Sequence, residues 1–135
     1  MYSISTESLE AFVIKSLSAV GMSARDAEWV AYTLVLADKR GIESHGTARL
    51  GHYISRIRKG SISADTSTYI ELRQNATAVL DGKHAMGQIV NPDRANLAVD
   101  IAQEYGAGWV SIKNSGHCGA LAIENAKKNR LSSQL

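Results

Sequence analysis

Two short stretches of this chain carry side chains that could do chemistry. The first is Gly41-Ile42-Glu43-Ser44-His45-Gly46-Thr47-Ala48-Arg49-Leu50-Gly51-His52-Tyr53, and the second is Asn114-Ser115-Gly116-His117-Cys118-Gly119. Imidazole titrates near neutrality, so His45 and His117 are candidates for moving a proton if folding brings them to one place. Ser44 and Arg49 crowd the same junction as His45 without any need of a core. The bland alternatives are a solvated basic helix face for the first stretch and a glycine-rich turn with a packing histidine for the second. Cys118 reads as a small semi-buried thiol rather than a nucleophile, because adjacent residues in a turn seldom point at each other. A metal site made of His45, His52 and His117 lacks the i, i+4 histidine pair that helical zinc sites use.

The elements that must position these groups follow from periodicity. Ser5 or Thr6 caps a first helix whose stripe is Leu9, Phe12, Val13, Leu17 and Val20, ending at Gly21. Ser23 opens a second helix with Ala27, Val30, Ala31 and Leu34 on its buried face, closed by Gly41. A third helix is expected from about 45 to 59, with Ser44 as N-cap and Gly60 as stop. On that helix His45, Arg49, His52 and Arg56 would share one face, and Leu50, Tyr53, Ile54 and Ile57 the adjacent core face. After a polar stretch, Tyr69–Arg73 and Ala76–Leu80 read as short strands around a turn at Gln74-Asn75, and Asp81-Gly82 marks the exit. Asn91-Pro92-Asp93 is a good helix start, with an earlier start near Gly87-Gln88 left open. Leu97, Ala98, Ile101, Ala102 and Tyr105 would form its buried stripe up to Gly106, and 107–112 a further strand. A last helix is expected over about 119–129.

Strand, helix, strand in that order predicts a crossover unit and at least part of a parallel sheet. The expected fold is therefore α/β: an N-terminal three-helix layer over 1–60, then a partial mixed or parallel sheet with crossover helices over 61–135. Together they would make one incomplete domain. The second stretch sits beyond the carboxyl end of a strand, where open α/β sheets tend to bind ligands. No G-x-G-x-x-G occurs anywhere, so the fold is read as non-Rossmann.

At 135 residues the chain suits one modest core, and its 44% hydrophobic and 21% charged content places it among ordinary globular chains. A net charge of +2 does not demand an anionic partner. The single cysteine excludes an internal disulfide framework and suits a reducing compartment. No stretch is apolar for long enough to span a bilayer, and no signal peptide is legible, so the cytoplasm is the expected location.

Glu43-Ser44-His45-Gly46-Thr47-Ala48-Arg49-Leu50, preceded by Ala37-Asp38-Lys39-Arg40-Gly41, resembles the second, non-Rossmann malate/L-lactate dehydrogenase family. That family includes ureidoglycolate and sulfolactate dehydrogenases. Ile57-Arg58-Lys59-Gly60, Asp81-Gly82 with Gly87-Gln88, and Asn114-Ser115-Gly116-His117 are similar in the same order. The resemblance implies an oxidoreductase that uses NAD or NADP and acts on a small 2-hydroxy acid and its 2-oxo partner, as a homodimer. His117 and His45 match the family's motif histidines, which differ among members in which one is credited with the proton. Arg49 matches the arginine expected to meet the substrate carboxylate, with Ser44 beside it. Position 118 is cysteine where the family often carries a bulkier or different residue. Family members run considerably longer, so the chain is expected to be the N-terminal part of such an enzyme, inactive alone and exposing unpaired strand edges.

Two other classes compete. The second and third helices, joined through Gly41-Ile42-Glu43, superficially look like a helix-turn-helix with Arg49, His52 and Arg56 as a reading face. Low overall charge and the α/β half argue against nucleic acid as a partner. A cofactor-free interaction module is the other alternative.

Overall fold

The computed structural model describes residues 4–120. Helix α1 spans Thr6–Ser18 and α2 spans Ala24–Lys39. Each begins where a serine side chain takes up an otherwise orphaned backbone N–H: Ser8 N donates to Ser5 Oγ, and Asp26 N donates to Ser23 Oγ, both at 3.2 Å. The pairing of α1 with α2 buries Val13 and Leu17 against Ala27, Val30, Ala31 and Leu34. Phe12, expected in that stripe, is 60% exposed. The buried line runs through residues 13 and 17 with Ile14 and Val20 at its margin, which turns position 12 outward.

The third helix departs from expectation. Two 3-10 turns, Glu43–His45 and Thr47–Arg49, precede α3, which spans only Leu50–Arg58. Ser44 caps nothing. The anchor is Asp38, at the end of α2, whose Oδ2 accepts from Thr47 N at 2.9 Å and Thr47 Oγ1 at 2.6 Å. That carboxylate fills the space over Gly46, which adopts an extended conformation (φ −91°, ψ −157°) and breaks the run. His45 therefore lies before the break and does not share a continuous helical face with His52 and Arg56. Leu50, Tyr53 and Ile57 of α3 do close the helical core, as their spacing requires.

Strands β1 (Tyr69–Gln74) and β2 (Thr77–Asp81) form an antiparallel hairpin, and β2 pairs in parallel with β3 (Trp109–Lys113). Asn75 makes the hairpin turn at φ 47°, a conformation asparagine tolerates better than most side chains. The expected crossover is present, in a mixed sheet of order β1-β2-β3. Ala78 and Leu80 of β2 face the connecting helix α4 and form a second core with Ala85, Val90, Leu97 and Ile101. Tyr105, expected in that stripe, is 48% exposed and lies outside this cluster. Through the register, Leu72 and Trp109 fall on the other face of the sheet, and β1 is exposed along its whole length.

Helix α4 spans Gly87–Tyr105, so it starts four residues before Asn91 and holds Pro92 inside. A proline there offers no N–H to the Gln88 carbonyl one turn earlier. The indole N–H of Trp29, on α2, donates to that carbonyl at 2.7 Å. This contact from another element meets the need the proline creates, and local sequence does not show it. Met86 and Ile89 carry the first turn of α4 into the helical core, joining the two cores. The helix expected over 119–129 lies outside the described residues beyond 120. Among the described residues, no helix is long and apolar enough to cross a membrane.

Candidate active site

The second stretch is held by a zipper of backbone hydrogen bonds between 82–87 and 113–117. Gly82 N donates to Lys113 O at 3.0 Å, His84 N to Asn114 O at 2.7 Å, Gly116 N to Ala85 O at 2.9 Å and Gly87 N to His117 O at 3.2 Å. Asp81 closes the near end: its Oδ1 accepts from Lys83 N at 2.8 Å and from Asn114 Nδ2 at 3.2 Å. These donors hold its carboxyl below the usual carboxylate range, the Lys83 N–H contributing most. Lys83 and His84 both take positive φ (47° and 62°), a conformation that costs roughly 1–2 kcal/mol per residue. Glycines 87 and 116 are needed where the strands of this zipper touch. A Cβ on Gly87 would lie 2.7 Å from Gly116 O, and one on Gly116 would lie 3.1 Å from Ala85 O.

The zipper delivers His117 to the end of the helical layer. Its ring lies 5.3 Å, centroid to centroid, from the ring of His45, tilted by 32°. Two imidazoles 72 positions apart in the chain thus share one place. His45 Nδ1 is 2.9 Å from Ser44 Oγ, and Arg49 Nε donates to Ser44 O at 2.7 Å. That bond tethers the guanidinium by one nitrogen and leaves its two terminal nitrogens without a partner among the described residues. All four residues singled out from sequence, Ser44, His45, Arg49 and His117, gather here, although Ser44 does so through its own 3-10 turn and not as a helix cap. His52 is exposed on α3. Cys118 is a half-buried free thiol, with Sγ 3.8 Å from Gly116 O.

Burial lowers the His117 pKa, and the positive charge of Arg49 adds to it, followed by His45 and His52. The ring is thus held neutral to lower pH than a free imidazole. Among the described residues, no group of three His, Cys, Asp or Glu side chains is arranged to hold a metal ion.

Two residues of the site were not singled out as such by sequence. Tyr53, read as part of the core face of α3, is 1% exposed, and its hydroxyl lies 2.9 Å from His117 Nδ1. Gln88, also 1% exposed, donates through Nε2 to the Tyr53 hydroxyl at 3.1 Å. Both carried a legible signal. A tyrosine in an apolar stripe needs a partner for its hydroxyl, and Gln88 stands alone as a polar side chain in Ala85-Met86-Gly87-Gln88-Ile89-Val90.

Comparison with known proteins identifies the family. Residues 4–128 match the family model described as malate/L-lactate dehydrogenase. The chain is 38% identical to a malate dehydrogenase of Pyrococcus abyssi over 116 residues, which is 86% of this chain and 32% of that protein. It is 34% identical over 119 residues to the ureidoglycolate dehydrogenase (NAD(+)) of Escherichia coli K12, covering 88% of this chain and 34% of that protein. The sulfolactate dehydrogenase structure from Methanocaldococcus jannaschii superposes with a TM-score of 0.84 at 31% identity, over 92% of this chain and 36% of that one. The chain therefore spans about a third of the length of the relatives it matches.

Proposed function

Because this chain belongs to the malate/L-lactate dehydrogenase family, we propose that it supplies the substrate side of an NAD- or NADP-dependent oxidation of a small 2-hydroxy acid. The observation that carries this reading is the pairing of the His45 and His117 rings at 5.3 Å, with Arg49 tethered beside them through Ser44. Oxidising a secondary alcohol requires an acceptor for the hydroxyl proton within hydrogen-bond reach while hydride leaves C2. The paired rings supply both halves of that need: one imidazole to take the proton, and a second, His117, kept neutral by burial and by a neighbouring guanidinium, to hold a hydrogen bond to the same oxygen. The two terminal nitrogens of Arg49 match the two oxygens of a carboxylate, fixing the carbon next to it relative to the imidazoles.

The nicotinamide nucleotide, when bound, accepts the hydride. The described residues carry no feature that identifies its site. They contain no glycine-rich phosphate turn, and the first N–H of α4, a natural anion donor, is already bonded to the His117 carbonyl. No residue described here is assigned to hold it, and the chain's own contribution is to bind, orient and exchange a proton.

The test is turnover of malate, lactate, sulfolactate and ureidoglycolate by the active enzyme with either nucleotide. Arg49→Lys is expected to raise KM about tenfold, because the fork geometry is lost while the charge stays. His117→Ala is expected to lower kcat by a factor on the order of 10²–10⁴. Unchanged kinetics in both variants would remove these residues from the chemistry.

A further inference from the structure

The hydrogen bonds behind His117 run in one direction only. Gly119 N points at His117 Nδ1 at 3.2 Å, and a backbone amide can only donate. Nδ1 must therefore present its lone pair there. The Tyr53 hydroxyl, 2.9 Å from the same nitrogen, then has to donate to it as well. Its oxygen is left to accept from Gln88 Nε2 at 3.1 Å, which the carboxamide supplies. The chain Gln88, Tyr53, His117 is thus consistent in a single polarity, with the ring proton of neutral His117 on Nε2. Both supporting side chains are almost wholly buried, so water has little access with which to rescramble the order. One atom of the chain is left over: Gln88 Oε1 is buried with no hydrogen-bond partner among the described residues. An orphaned acceptor of this kind costs about 1–3 kcal/mol and persists where the rest of the network determines the rotamer.

We propose that Tyr53 and Gln88 are positioning residues that fix the tautomer of His117, so that its Nε2–H is held ready to donate to the C2 oxygen of a bound 2-oxo or 2-hydroxy acid. This rests on the dehydrogenase reading for the identity of the ligand, but the tautomer itself does not. A neutral imidazole that donates can polarise a carbonyl without giving up its proton. With Nε2 protonated and Nδ1 engaged by two donors, the neutral ring has no lone pair free toward substrate. Uptake of the hydroxyl proton then falls to the other ring of the pair, His45, whose Nδ1 meets a rotatable serine hydroxyl that can donate or accept.

The tautomer can be read without substrate or cofactor. Nitrogen chemical shifts and ring couplings of ¹⁵N-histidine-labelled chain, recorded above the titration of the ring, distinguish a protonated from a bare nitrogen at each position. The expected spectrum shows Nδ1 bare and Nε2 protonated for His117. A dominant Nδ1–H form would overturn the proposal outright. Tyr53→Phe keeps the ring packing and removes one donor, and should shrink the preference for the Nε2–H form by about fivefold, the worth of one ordinary hydrogen bond. An unchanged preference in that variant would take the role away from Tyr53. Gln88→Glu replaces the donor by an acceptor. It should turn the Tyr53 hydroxyl toward the new carboxylate and draw the His117 proton toward Nδ1; no movement in that direction would remove Gln88. If either variant fails to fold, the wild-type spectrum still decides. A correct tautomer together with no turnover of any 2-hydroxy acid by the active enzyme would sink the dehydrogenase reading and leave the hydrogen-bond assignment standing.

Discussion

Gly46→Ala is a small change with a calculable consequence. The backbone at Gly46 has negative φ, so alanine has no conformational objection to the site. The difficulty is steric: a Cβ there overlaps the Asp38 carboxylate, including Oδ1 and Cγ. Asp38 is short and must swing away, which breaks the two bonds its Oδ2 accepts from Thr47. Hydrogen bonds to a charged group contribute about 1.5–3 kcal/mol each, and these two share an oxygen and are partly exposed, so a loss of about 2–4 kcal/mol is expected. Urea denaturation followed by circular dichroism reads this as a lower midpoint at unchanged slope. The decisive comparison is a double-mutant cycle with Asp38→Ala. If the carboxylate is what Gly46 makes room for, then Gly46→Ala in the Asp38→Ala background should cost less than about 1 kcal/mol. Equal costs in both backgrounds would refute the assignment of Asp38 as the anchor that ends the first 3-10 turn and starts the second. The same anchor sets His45 apart from α3, so the variant should also disturb the His45–His117 pair.

Other outcomes follow from the same physical reasoning. Trp29→Phe should destabilise the chain by about 1–2 kcal/mol, because the Gln88 carbonyl loses the donor that Pro92 cannot replace. Adding Pro92→Ala should recover part of that loss in the same denaturation assay. Gly108→Ala should cost about 3 kcal/mol or more, since its Cβ would overlap the Ala98 carbonyl in the backbone of α4, which cannot swing aside as a side chain can. The pH dependence has a defined sign. His117 is held below its ordinary 6.5, so between its folded value and 6.5 the unfolded chain binds more protons. Stability should therefore rise with pH through that window and level off above it. Denaturation midpoints on either side of 6.5 should show that slope reduced in His117→Gln.

Much of the architecture was legible because it depends on local patterns. Serines 5 and 23 cap where capping chemistry says they should, the hairpin turns at Asn75, and strand, helix, strand gives a parallel β2–β3 pair with α4 between. The misreadings share a cause in contacts distant along the chain. Spacing from 45 to 59 fits a helix well, and only Asp38, on another element, reveals the break at Gly46. For α4 the sequence leaves two starts open, at Asn91-Pro92 and near Gly87-Gln88, and the Trp29 contact lets the helix take the earlier one. Phe12 and Tyr105 fit the periodicity of their stripes, but periodicity fixes an angle around the helix and not how far a partner surface extends. At the site, Ser44, His45, Arg49 and His117 could be picked out by type and motif. Tyr53 and Gln88 could not be assigned to His117, because apolar surroundings hide a polar tip until its partner is known.

The account turns on His45 and His117 serving one bound hydroxy acid alongside Arg49. The direct measurement is a titration of the ¹⁵N-histidine-labelled active enzyme with malate, following both ring signals at once. The two rings should move together with a common midpoint, and Arg49→Lys should shift that midpoint about tenfold toward higher malate. Rings that move with different midpoints, or that stay still while malate is turned over, would contradict it.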